Sequence, residues 1–115
     1  NKDSILKIKS QAFAIRIVRL CRYLRAEKRE TILSRQLLRS GTSIGANISE
    51  SSYAQSMADF ISKLHIALKE AAETEYWINL LAETGYISSL EKDSILMDCI
   101  ELIKLLTSSI KTCKE

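Results

Sequence analysis

Gly41-Thr42-Ser43-Ile44-Gly45 spells G-x-S-x-G. In α/β-hydrolases that pattern turns a strand sharply into a helix and exposes a serine nucleophile, with an acid and a histidine following in the chain. Here no strand pattern precedes Ser43, and the single histidine, His65, lies in a helical stretch with no orienting acid. The pattern therefore reads as ordinary helix, and no catalytic residue is expected. His65 also lacks a ligand-spaced neighbour and reads as a half-buried or surface side chain. The three cysteines, Cys21, Cys99 and Cys113, form no C-x-x-C pair. Cys99 and Cys113 sit fourteen residues apart on one helix, which at 1.5 Å per residue is about 21 Å, too far to share a metal. They read as free, mostly buried thiols of a reducing compartment, which points to the cytoplasm. No metal or cofactor is expected. Walker A, dinucleotide-fingerprint and H-E-x-x-H patterns are absent. Asn47-Ile48-Ser49 is a formal glycosylation sequon on the buried side of a helical stretch.

Two other constellations carry weight. Asn47 and Glu75 are polar residues beside or within apolar stripes of adjacent helical stretches, and they read as a buried hydrogen-bonded pair that fixes register. An unpaired buried carboxylate would be very costly. A catalytic carboxylate there would need a second acid, for which Glu50 and Glu73 are the candidates. Lys9, Arg16, Arg19 and Tyr23 form a basic ribbon with one aromatic, and Arg22, Arg25, Lys28 and Arg29 lie below it. Such a ribbon can track a phosphate backbone, although charge runs on helices are usually solvated faces.

The elements that must position these residues are helices. Residues 37–52, LLRSGTSIGANISESS, place Leu37, Gly41, Ile44 and Ile48 on one stripe, with Leu38 and Gly45 beside it. Each glycine costs a helix about 1 kcal/mol relative to alanine. A shallow stripe of small residues offsets that cost if neighbouring helices approach closely. A first helix is expected over 4–26, with Leu6, Phe13, Ile17, Leu20 and Leu24 at packed-helix spacing. Its second apolar stripe, Ile8, Ile15 and Val18, lies nearly opposite. A charged break at 26–30 leads to a second helix over 31–53. Ser56 with Asp59 opens a third, whose apolar face runs from Met57 to Ala82 with Glu75 inside it, and Gly85 closes it. Trp77 and Leu80 fall on another side of that helix. Ser88 with Glu91 opens a fourth helix, to about residue 114. Four amphipathic helices with short connections predict an all-α, up-down-up-down antiparallel four-helix bundle, one domain over 1–115. A bundle helix needs one buried stripe. The surplus at Ile8, Ile15, Val18, Trp77 and Leu80 therefore predicts a surface for another copy of the chain.

Composition agrees with this reading. The 115 residues contain no proline and three glycines, which suits long helices and leaves little turn chemistry for an all-β fold. No uncharged run is long enough to span a membrane, and no membrane partner is expected. The sequence opens on Asn1 without a methionine, which leaves the native start and a trimmed signal peptide open. The net charge of +3 conceals an asymmetry. Residues 1–48 carry eleven Lys/Arg and three acids, +8, while 49–115 carry six Lys/Arg and eleven acids, −5. Such a division serves either a nucleic-acid face or the mutual attraction of helix pairs and of copies in an oligomer.

SIGANISE, at 43–50, followed by YAQSMADFISKLHIALKEAAETEYWINLLAETGYI, at 53–87, resembles the bacterial four-helix-bundle family of 23S rRNA intervening-sequence proteins. Ser43, Ile44, Asn47, Ile48 and Glu50 match its first motif, and Leu64, Ala67, Glu73, Glu75, Gly85 and Tyr86 match its second. Ser51 replaces the glycine that usually follows the glutamate. Gln55-Ser56 replaces the usual basic residue between the motifs. The chain is also similar to the accessory variability protein of diversity-generating retroelements, a basic pentameric barrel that binds nucleic acid and a reverse transcriptase. The resemblance implies a bundle that assembles into a ring, a pentamer, with no established enzymatic activity. Its ribosomal label reflects gene location. The expected function is a cytoplasmic, non-enzymatic homo-oligomer that contacts RNA or DNA through Lys9, Arg16, Arg19, Arg22, Tyr23 and Arg25. The alternative is a protein-interaction scaffold, engaging another protein, whose charge asymmetry serves assembly alone.

Overall fold

The computed structural model describes residues 1–115, Lys2 by its backbone alone. Four helices follow in order: α1 (Lys2–Glu27), α2 (Ile32–Ser51), α3 (Met57–Glu83) and α4 (Ser89–Lys114). Among the described residues there is no strand.

The helix ends are set by local chemistry. The Ser88 hydroxyl accepts from the Glu91 amide at 3.1 Å while the Glu91 carboxylate accepts from the Ser88 amide at 3.0 Å, a complete capping box for α4. At α3 the box is half made. Ser56 accepts from the Asp59 amide, but the Asp59 carboxylate takes the Gln55 amide instead. Past α3 the Tyr86 amide donates to Leu81 and the Gly85 amide to Ala82, with Gly85 at φ 84°. This is a Schellman stop that needs the left-handed region open to glycine. The turn after α1 uses Arg29 in the same region, at φ 55°.

Each helix packs on its sequence neighbours, and α1 meets α4 to close the square; among the described residues no Cα atoms of diagonal helices come within 8 Å of each other. The result is an up-down-up-down bundle, 45 × 21 × 19 Å. Its core takes Leu6, Phe13 and Ile17 from α1, Leu37, Ile44 and Ile48 from α2, Leu64, Ala71 and Ile78 from α3, and Cys99, Leu102 and Leu106 from α4. The small-residue stretch forms the close seam as expected: Gly41 lies so near Ile17 of α1 that an added Cβ would sit 2.8 Å from its Cγ2.

Two core assignments differ from the sequence reading by one position, and a third residue, Met57, lies outside the core. Cys21 is buried where Leu20 was expected, and Leu20 is half-buried. On α3 the buried line runs Leu64, Ala67, Ala71, Thr74, Ile78 and Leu81. That alternation of three- and four-residue steps puts Thr74, not Glu75, inside. Met57 stays 58% exposed. The Thr74 hydroxyl meets that of Ser40 on α2 at 2.9 Å, the buried polar link between these helices. The charged break before α2 also has a structural task. The nearly buried Glu30 carboxylate accepts from the amides of Ser34 at 2.7 Å and Ile32 at 3.3 Å. It thereby satisfies first-turn donors of α2 that would otherwise be orphaned.

Candidate nucleic-acid interface

The α1–α4 contact divides the basic ribbon in two. The Lys9 ammonium lies 3.2 Å from a Glu101 carboxylate oxygen on α4. Arg16 reaches Asp98 at 2.7 Å, and its two terminal nitrogens also donate to the carbonyl and hydroxyl of Ser94. These pairs are half-exposed and contribute at most about 1 kcal/mol each. They nevertheless commit two of the expected phosphate-binding cations to the chain's own fold. Further along α1 the same register brings Glu91 and Leu90 of α4 to the groove beside Arg19 and Tyr23, but the Glu91 carboxylate accepts from the Ser88 amide of its own capping box and makes no ion pair with Arg19. Arg19, Arg22 and Arg25 are exposed, with no ion pair or side-chain hydrogen bond among the described residues, and Tyr23 is 39% exposed beside them. The free cationic surface is therefore the C-terminal half of α1.

The expected Asn47–Glu75 pair does not form. The Asn47 side-chain amide donates to the Ser43 carbonyl of its own helix at 2.8 Å. The physical reason is register. The Ser40–Thr74 and Glu50–Lys63 contacts place Asn47 level with residues near 67 of α3, about two turns or 12 Å from Glu75. Glu75 instead lies near Cys99 of α4, where its charge adds to the burial that pushes that thiol up to about 12. Cys21 is pushed up to about 11, chiefly by burial. All three cysteines are free.

Both acids that might have partnered Glu75 are engaged with other residues. Glu50 pairs with Lys63 at 3.0 Å. Glu73 accepts from the Trp77 indole N–H at 2.9 Å and pairs with Arg39, which also reaches Glu70 at 3.2 Å. The indole hydrogen bond, and then the Arg39 guanidinium, hold the Glu73 carboxyl below the usual carboxylate range. Sequence reasoning missed this cluster. The i, i+4 spacing of Glu73 and Trp77 was its local signal, but Arg39 is brought in only by packing. Ser43 donates its hydroxyl to the Arg39 carbonyl within α2, and His65 is exposed on α3, so the G-x-S-x-G pattern assembles no triad. No group of His, Cys, Asp and Glu among the described residues is arranged to hold a metal ion. No helix is long and apolar enough to cross a membrane.

The residues expected at an oligomer interface fall on diagonal helices. Ile8 and Ile15 on α1 are 68% and 44% exposed, and Val18 is half-buried nearby. Trp77 and Leu80 on α3 are half-buried; Trp77 packs against the chain's own core and meets the Tyr76 ring edge-on at 5.0 Å.

Comparison with known proteins agrees with this architecture. The family model described as 23S rRNA-intervening sequence protein matches residues 2–108. A crystal structure from Bacteroides thetaiotaomicron, described as a protein with unknown function from the S23 ribosomal protein family, superposes with a TM-score of 0.95 at 57% identity. The match covers 96% of this chain and 99% of that one. No curated protein matches the sequence.

Proposed function

The chain belongs to the family of 23S rRNA-intervening sequence proteins, and from that premise we propose that it is a non-enzymatic homo-oligomer that contacts RNA or DNA through α1. The observation that carries the nucleic-acid half of this reading is the row Arg19, Arg22 and Arg25. These three cations are exposed and make no ion pair among the described residues, and Arg19 shares a groove with Tyr23. Lys9 and Arg16 have a smaller part than their sequence positions suggest, because α4 already holds them. The oligomer half rests on the exposed Ile8 and Ile15, and on a second patch at Trp77 and Leu80 on the diagonal helix. Two different patches on opposite sides suit a head-to-tail ring, whereas a two-fold dimer reuses one. A pentamer is the ring the family resemblance favours, and five copies of a +3 chain would carry +15. Three free thiols suit a cytoplasmic setting.

Mass measurement by light scattering on a sizing column tests assembly; a monodisperse monomer overturns it. Salt titration of binding to unspecific RNA tests the rest. Three phosphate contacts per protomer give a slope of log K against log salt of about −2 on single strands. Arg19→Glu with Arg22→Glu should remove about two thirds of it. Unchanged affinity and slope would place any binding elsewhere. The scaffold reading is favoured if the ring forms and no RNA or DNA binds. Its specific support is the pair of α1–α4 salt bridges, which already spend part of the charge asymmetry inside the fold.

A further inference from the structure

Below the Arg16–Asp98 pair, α1 and α4 diverge and leave a groove of about 490 Å³. Its floor is Leu20, Ile87 and Ile95, Tyr23 and Leu90 stand at its sides, and Arg19 is on its rim. We propose that this groove takes an unstacked base of a single-stranded nucleic acid, with the ring packed on Tyr23 and the flanking phosphates on Arg19 and Arg22. The inference rests on the nucleic-acid reading above and adds where the strand sits and which form it takes.

The geometry favours this occupant on three counts. Arg19 and Tyr23 are four residues apart, so they project from the same face of α1. The guanidinium has no partner, and the Tyr23 ring has no aromatic neighbour, among the described residues. Leu90 is 82% exposed although it borders an apolar floor; that surface is left open in the isolated chain. The groove runs from Ile87, just ahead of α4, along that helix to Ile95; the helical part from Ser89 is about 9 Å at 1.5 Å per residue, room for one or two bases. A duplex keeps its bases stacked inside and presents only phosphates to such a slot, whereas a single strand can turn a base in. The one acid on the wall, Glu91, is held by the capping box and lies close to Lys28, so it does not reverse the sign of the rim. Outward from the rim, Arg22 follows Arg19 on the exposed face of α1, and that cationic pair matches a polyanion; Arg25 lies further round, toward α2.

The test uses the full chain and fluorescence anisotropy with a fluorescein-labelled twelve-nucleotide poly-A RNA and a twelve-base-pair duplex at one low salt concentration. Single strand should bind more tightly than duplex. Tyr23→Ala should weaken single-strand binding about 5- to 100-fold, the range for removing one stacking aromatic, with Tyr23→Phe restoring it and duplex binding unaffected. Leu90→Glu, at a position too exposed to disturb the fold, should weaken the single strand about tenfold or more. Equal loss on both nucleic acids, or none with either variant, overturns the groove while leaving the basic-face reading intact. Failure of the wild type to bind either nucleic acid overturns both. Poly-glutamate binding with the same dependence on Tyr23 would show that the groove serves an acidic protein and would overturn the proposal.

Discussion

Gly41 and Gly45 lie one turn apart on α2, yet alanine should have opposite effects at the two positions. In a helix interior the exchange favours folding by about 1 kcal/mol at either site. What differs is the space. A Cβ on Gly41 would lie 2.8 and 2.9 Å from Cγ2 and Cγ1 of Ile17, well inside the ~3.5–4.0 Å of an optimal carbon contact. Ile17 cannot yield. It is β-branched, so a helix confines it to one χ1 rotamer, and it is fully buried in the core. The helices must part or Ile17 must strain, and overpacking of this kind costs about 1–3 kcal/mol. Gly41→Ala should therefore lose up to about 2 kcal/mol net. At Gly45 the nearest atoms are those of Ser10 at 3.4–3.5 Å, an ordinary contact, so Gly45→Ala should gain about 0.5–1 kcal/mol. Urea unfolding followed at 222 nm, at one fixed protomer concentration, measures both as midpoint shifts at constant slope. Ile17→Ala removes the obstructing atoms, and its loss should combine with that of Gly41→Ala less than additively, by about 1 kcal/mol or more. If Gly41→Ala is more stable than the wild type by about 1 kcal/mol, or the double mutant is additive, α1 and α2 are not in the close contact described.

The remaining predictions concern groups whose surroundings are equally specific. Gly85→Ala should cost about 1 kcal/mol by the same unfolding assay, from the left-handed backbone alone, because nothing lies within 4 Å of the added carbon; a loss near 3 kcal/mol would mean a hidden clash. With Cys21 and Cys99 buried and pushed up to about 11 and 12, native protein at pH 8 should take one alkylating adduct, on Cys113, and three after denaturation, as read by mass spectrometry. The Glu73 carboxyl is lowered by Trp77 and Arg39, and that of Glu91 by the Ser88 amide and hydroxyl. The stabilisation each gives is complete above the unfolded carboxylate value of about 4.3. It is lost as pH falls through that value towards the lower folded one. The emission of Trp77, the single tryptophan, should therefore change below about pH 4 before helicity is lost, and Glu73→Gln should abolish that early step; an identical acid profile in the variant would refute it.

The elements were legible because they rest on local rules. The absence of proline, the 3.6-residue apolar period, Ser88 with Glu91, and Gly85 each act within a few residues, and each appears in the structure where the pattern placed it. The close seam was legible for a related reason: a glycine in the middle of a helix is costly unless something needs the room, and at Gly41 Ile17 does. The errors begin where one helix must be set against another. After Ala71 a step of three and a step of four are equally helical, and only packing against Ser40 selects Thr74 over Glu75. Asn47 and Glu75 each carry a sound local argument for burial, but pairing them assumed a register that the Ser40–Thr74 contact excludes. Glu30 was read as part of a charged break because its role depends on a turn through Arg29 that carries no glycine signal.

The candidate interface shows the same division with greater consequence. Along α1 the cations at 9, 16 and 19 are equivalent in sequence, and nothing in that helix separates them. The separation is written on α4, which runs antiparallel: Glu101 meets Lys9, Asp98 and Ser94 meet Arg16, and Glu91 and Leu90 border the groove beside Arg19 and Tyr23. Where an α4 carboxylate reaches across, the α1 cation closes the bundle; Glu91 is instead turned back to the α4 N-terminus, where it accepts from the Ser88 amide. Arg16 takes both the hydroxyl and the carbonyl of Ser94, and Arg19 and Tyr23 remain for an external ligand. The surface available for binding is thus defined less by how many cations α1 carries than by which acids of α4 reach across to them.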